Sequence, residues 1–170
     1  DVVVFKYPID PNVDYIKRVI GLPGDRIIYR NKSLYIKPLC KPEAKACSDF
    51  EQVVHTFRAE DSTPDGSYGL TRYTSEMPNK THDILINNSI LARTQHYYKQ
   101  PGTQRDEFVV PEGQYYVMGD NRDNSLDGRF WGFVPEENLV GEAVAIWMSF
   151  TFDREADSVL PSWVPTSIRF

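Results

Sequence analysis

The stretch Asp14-Tyr-Ile-Lys-Arg-Val-Ile-Gly-Leu-Pro-Gly-Asp25 sets the architecture. Side chains alternate along a strand, so Tyr15, Lys17 and Val19 share one face while Ile16, Arg18 and Ile20 share the other. β-Branched and aromatic residues favour that pleated state. The strand then meets a turn, because Gly21 and Gly24 supply unusual backbone angles and Pro23 fixes φ.

The same pairing of alternation and turn chemistry recurs on both sides: Val2 to Tyr7, Arg26 to Tyr29, Leu34 to Lys37, Phe50 to Arg58, Asp83 to Ile86, Glu107 to Val110, Gln114 to Met118 and Gly141 to Phe150. Each run is bounded by turn-formers such as those in Tyr7-Pro-Ile-Asp-Pro11 or Tyr29-Arg-Asn-Lys-Ser33. No run of ten or more residues has helical character, although Pro135 to Leu139 suits a single turn. The pattern predicts an all-β fold, with mainly antiparallel sheets around a barrel-like or sandwich core. Residues 38–106 are more polar and loop-rich than their flanks. They read as an inserted β-rich subdomain that divides the core into 1–37 and 107–170.

With 170 residues, a net charge of -5 and a pI near 5.2, the chain has no global basic field to hold a polyanion, so nucleic acid is not an expected partner. The longest apolar run, Ala143 to Met148, is far short of a membrane-spanning helix. The start at Asp1, without Met or a targeting segment, suggests a piece of something longer. Cys40 and Cys47 lack the close spacing and neighbouring His ligands of a zinc site, so no metal is expected. A disulfide between them would close a short loop, contribute about 2–3 kcal/mol and imply an oxidising compartment; two unrelated thiols is the alternative. His55, His82 and His96 are scattered through the polar middle and read as ordinary surface or loop histidines.

Two segments could carry chemistry. An ammonium at Lys17 shares its face with Tyr15 and Val19, where desolvation would favour the neutral amine and make it a usable base; a strand lysine with its head in water is the plain alternative. The second is Met118-Gly-Asp-Asn-Arg-Asp-Asn-Ser-Leu-Asp-Gly-Arg129, unusually dense in charge for a connection between strands. In an extended segment Ser125, Asp127 and Arg129 would project to one side, with Asp127 pairing Arg129 and holding Ser125 toward a third group. A solvated polar loop is the alternative.

Taken together, Tyr15-Ile-Lys-Arg-Val-Ile-Gly-Leu-Pro-Gly-Asp25 and the segment from Gly119 to Gly141 closely resemble two signature blocks of type I bacterial signal peptidases, membrane-bound serine endopeptidases that remove signal peptides from exported proteins. The likeness extends over the flanking residues 1–11 and 143–150. It implies a Ser/Lys dyad without histidine, metal or cofactor. Lys17 falls on the general base, Ser125 on a residue that orients it, and Asp127 and Arg129 on a supporting ion pair. Val4, Phe5, Tyr15 and Ile16 fall on walls of the cleft that accepts small side chains, giving the Ala-x-Ala preference. The family's nucleophilic serine, in a Ser-x-Ser-Met block, has no match in the chain, so these residues alone are expected to be inactive. Partners implied are signal peptides of exported pre-proteins and, through Trp147, Trp163 and the tail around them, a membrane surface. Core packing is the alternative for those tryptophans. The implied location is the periplasmic face of a bacterial inner membrane, with the protein a monomer. Two other readings compete: a self-cleaving Ser/Lys protease on a related fold, and an extracytoplasmic β-module that binds extended peptides without cutting them.

Overall fold

A computed structural model describes residues 1–43, 46–61, 69–78, 80–143, 149–151 and 167–169. Fourteen strands are seen among them: β1 (Val2–Lys6), β2 (Asp14–Gly21), β3 (Arg26–Arg30), β4 (Ser33–Lys37), β5 (Glu51–Gln52), β6 (Val54–Asp61), β7 (Leu70–Met77), β8 (Lys80–Asn87), β9 (Glu107–Val109), β10 (Gln114–Met118), β11 (Val134–Pro135), β12 (Leu139–Glu142), β13 (Ser149–Thr151) and β14 (Ser167–Arg169). All strand pairs are antiparallel, so the fold is all-β, as the alternation predicts.

A five-stranded sheet runs β11-β10-β2-β1-β12, a four-stranded sheet β5-β4-β3-β9, a three-stranded sheet β6-β7-β8, and β13 pairs with β14. The main core lies where Ile20, Tyr116 and Met118 of the first sheet meet Ile27, Tyr29, Leu34, Ile36 and Phe108 of the second. A smaller cluster of Val3, Phe5, Val117 and Val134, with Tyr15, Val19 and Trp131 packed against it, covers the opposite face of the five-stranded sheet. Fully burying a side chain such as Phe5 or Ile27 contributes about 1.5–3 kcal/mol. The middle segment is not separate from this packing, because Val53 and Tyr97 also belong to the main core.

Local chemistry fixes the turns. β3 and β4 are joined by Asn31 and Lys32, both at positive φ, the conformation of the two-residue turn that matches strand twist. Gly24 adopts φ +86° against Leu39, and Asp25 Oδ2 accepts from Leu22 N at 2.9 Å, closing the Gly-Leu-Pro-Gly-Asp turn.

Three features depart from the sequence expectations. β7 was not anticipated, because Leu70-Thr-Arg-Tyr-Thr-Ser-Glu-Met77 alternates polar with polar and lacks an apolar stripe. One helical turn was expected at Pro135 to Leu139, where a 3₁₀ turn spans Glu136–Asn138, but α1 (Gly128–Trp131) and further 3₁₀ turns at Thr94–His96 and Arg122–Asn124 are also present. The histidines are not all loop residues: His55 and His82 lie on β6 and β8, and the His82 side chain is buried.

Candidate active site

β2 is the centre of the five-stranded sheet, and Lys17 lies opposite Val3, on the same face as Tyr15 and Val19. Its side chain is half-buried, with Nζ 5.2 Å from the centre of the Tyr15 ring. β10 runs beside β2 and ends at Met118, opposite Arg18. The chain then turns at Gly119, whose missing side chain creates the site. A Cβ there would lie 2.1 Å from Ser125 Oγ, 2.6 Å from Ser125 Cβ and 3.6 Å from Lys17 Cδ. Ser125 and the Lys17 stem therefore converge on one glycine. Ser125 Oγ is enclosed and has no hydrogen-bond partner among the described residues.

The extended run expected through Ser125, Asp127 and Arg129 is interrupted. Ser125 follows a 3₁₀ turn and Asp127 caps α1, because its carboxylate accepts from the Arg129 backbone amide at 3.2 Å. Asp127 (0% exposed) pairs with Arg129 (2% exposed) through Nε at 2.8 Å and Nη2 at 2.9 Å, and it also accepts from Gly119 N at 2.9 Å. Both its oxygens are thus committed to Arg129 and Gly119, and neither is bonded to Ser125. Burial works against the Arg129 charge, but the Asp127 carboxylate outweighs it and holds the guanidinium pKa above its usual value. Arg129 also bonds the Arg122 carbonyl and lies over the Tyr29 ring at 4.9 Å.

Several site-forming residues were missed in the sequence. Arg18 grips Asp120 with Nε and Nη2 at 2.8 and 2.7 Å, joining the residue after Lys17 to the residue after Gly119. The three-stranded sheet braces the same loop: Leu85 N donates to the Asp120 carbonyl at 2.9 Å, and Leu85 bridges Asn121 in parallel. Asp123 Oδ2 accepts from Asn87 N at 2.8 Å and from Lys32 Nζ at 3.0 Å. The only signal for these contacts was the density of acids in the loop. Their partners lie up to 102 positions away, beyond any local pattern.

The four residues matched to cleft walls divide between the two faces of the sheet. Val4 pairs with Ile16 on one face, and Phe5 with Tyr15 on the other. Ile16 is 57% exposed and open to a ligand, whereas Phe5 is 0% exposed and packs against Tyr15 and Trp131. Because β10 ends opposite Arg18, the backbone of β2 from Asp14 to Lys17 has no strand partner on that side among the described residues. Cys40 and Cys47 form a disulfide with their Cα atoms 5.1 Å apart. Trp147 and Trp163 lie outside the described residues. Among the described residues no helix is long and apolar enough to cross a membrane, and no group of three His, Cys, Asp or Glu side chains is placed to hold a metal.

Residues 1–148 match the family model described as signal peptidase, peptidase S26. The signal peptidase I of Buchnera aphidicola subsp. Schizaphis graminum is 41% identical over 168 residues, covering 88% of this chain and 53% of that protein. That of Haemophilus influenzae is 40% identical over 159 residues, covering 93% of this chain and 43% of that protein. A crystal structure of a signal peptidase I from Enterococcus faecalis superposes with a TM-score of 0.44 at 26% identity, covering 84% of this chain and 92% of that one; the family assignment rests on the sequence matches alone. The chain spans about half the length of the curated relatives it matches. With its signature loops folded onto one strand end and the family model matched from Asp1 through residue 148, the chain belongs to the signal peptidase family, peptidase S26.

Proposed function

We propose that this chain is the catalytic part of a type I signal peptidase, a serine endopeptidase that removes signal peptides from exported pre-proteins after Ala-x-Ala. The observation that carries the reading is the open backbone edge of β2 from Asp14 to Lys17, ending in an amine that converges with Ser125 on Gly119. An extended peptide adding to that edge would gain main-chain hydrogen bonds, with alternate side chains directed toward the sheet. Its scissile carbonyl would then lie near Lys17. Val4, Tyr15 and Ile16 are read as lining the subsites, with Phe5 supporting them from the core.

In this mechanism the nucleophilic serine comes from a segment outside these 170 residues, since no Ser-x-Ser-Met block occurs among them. Lys17, as the neutral amine, takes the serine hydroxyl proton while the oxygen attacks the carbonyl carbon. Collapse of the tetrahedral intermediate breaks the C–N bond, and the lysine returns the proton to the leaving amine. Water repeats the cycle on the acyl-enzyme. Ser125 orients the lysine, and the Asp127–Arg129 pair holds the loop that carries Ser125. We further read residues 38–106 as an insertion between 1–37 and 107–170 that adds Val53 and Tyr97 to their core, and read the protein as a monomer at the periplasmic face of an inner membrane.

The test is cleavage of a pre-protein by the full-length protein and its Lys17→Ala variant. The expected outcome is product ending in Ala-x-Ala from the first and none from the second, with both folded by circular dichroism. Turnover by Lys17→Ala at the wild-type rate overturns the assigned base. Saturable binding without product in the wild type would instead identify a peptide-binding module.

A further inference from the structure

The three-, four- and five-stranded sheets are joined at one acceptor atom, Asp123 Oδ2. It accepts from the backbone amide of Asn87, the last residue of β8, at 2.8 Å and from Lys32 Nζ at 3.0 Å. Lys32 stands in the two-residue turn between β3 and β4 of the four-stranded sheet, and its ammonium also donates to the Asn87 carbonyl. Asp123 lies in the 3₁₀ turn Arg122–Asn124, which follows β10 of the five-stranded sheet and leads directly into Ser125.

The Lys32 and Asp123 side chains are 14% and 10% exposed, so this pair is shielded from solvent, unlike the exposed ion pairs that contribute little. Without the ammonium, a mostly buried carboxylate would keep the Asn87 amide as its one donor among the described residues. The backbone points to the same side chain independently. Lys32 has φ +63°, at the second left-handed position of a turn where glycine is preferred and a residue with a Cβ is disfavoured. Asn31, at φ +50°, suits its place in that turn. Lys32 does not, and what a lysine gains there is its bonds to Asp123 and Asn87.

We propose that Lys32 and Asp123 are positioning residues for Ser125, acting by pinning the turn that presents it. Ser125 is then held from both sides: by Asp123, two residues before it, and by Asp127, which is bonded to the Gly119 amide, two residues after it. The proposal rests on the reading of Ser125 as the residue that orients Lys17.

In the full-length protein, Lys32→Gly removes the ammonium while easing the turn, so the β3–β4 hairpin is expected to hold. Hydrogen–deuterium exchange across residues 119–125 rises about tenfold, while that of β3 and β4 does not rise. For cleavage of a pre-protein, kcat falls about 10- to 100-fold and KM stays within about twofold. Because the effect runs through Ser125, Lys32→Gly changes kcat by no more than about twofold when Ser125→Ala is already present. Should Lys32→Gly fail to fold, Asp123→Asn, which keeps the shape and removes the charge, is put through the same measurements. Unchanged exchange across residues 119–125 overturns the proposal, as does an unchanged kcat or an undiminished loss in the Ser125→Ala background. A wild-type protein that cleaves nothing would refute the assigned function instead, and the exchange comparison would then decide by itself whether Lys32 holds this loop.

Discussion

Gly119→Ala is the smallest change that tests whether the site is built as described. The added Cβ would stand 2.1 Å from Ser125 Oγ and 2.6 Å from Ser125 Cβ, against 3.4 Å for ordinary contact. The backbone of residue 119 is held by the bond from its amide to Asp127, so Ser125 is the group that must retreat, by about an ångström. A misplacement of ~1 Å near reacting groups lowers turnover about 100-fold, equivalent to about 2.7 kcal/mol of activation free energy. The accompanying overpacking destabilises the fold by ~1–3 kcal/mol, which is about 2–12 °C in melting temperature for a chain of this size. The assay is kcat/KM for signal-peptide cleavage by the full-length protein, paired with a thermal melt. Ser125→Gly removes both colliding atoms. In that background Gly119→Ala should therefore change kcat/KM by no more than about twofold. Near-wild-type turnover by Gly119→Ala, or an undiminished effect in the Ser125→Gly background, would refute the placement of Ser125 against this glycine.

Two further outcomes follow from the buried charges. Asp127→Asn leaves Arg129 buried without its counter-charge and should destabilise the protein by about 3–5 kcal/mol, seen as a lower denaturant midpoint with an unchanged m-value; a loss under ~1 kcal/mol would show that the pair is not buried as described. His55 and His82 both have pKa values lowered from 6.5 to about 4, chiefly by burial, so below pH 6.5 the unfolded chain takes up protons that the folded one refuses. Stability should fall as pH drops from 6.5 toward 4, and the slope should flatten in the His55→Gln, His82→Gln double variant when melting is followed across that range. An unchanged slope in the double variant would count against neutral, buried imidazoles.

Much of the framework was legible in the chain because it depends on short periods. Val3 and Phe5 of β1, Ile27 and Tyr29 of β3, and Leu34 and Ile36 of β4 alternate with less buried neighbours, and the core uses those faces. The face shared by Tyr15, Lys17 and Val19 was legible for the same reason. β7 was not, because its face is built from Tyr73, Ser75 and Met77 beside polar partners, and only its cross-strand neighbours make it a strand.

The sequence alone determined most of the core strands, several of the turns between them and which two segments are rich enough in functional groups to carry chemistry, since backbone pleat and turn sterics act over a few residues. Tertiary structure alone decided that Gly119 leaves room for Ser125 beside Lys17, that Arg18 holds Asp120, that Phe5 is closed off while Ile16 is open, and that Arg122 is buried. These are outcomes of packing between segments up to 102 residues apart. Steric exclusion and charge pairing at such separations depend on the relative placement of whole sheets, which no local pattern encodes.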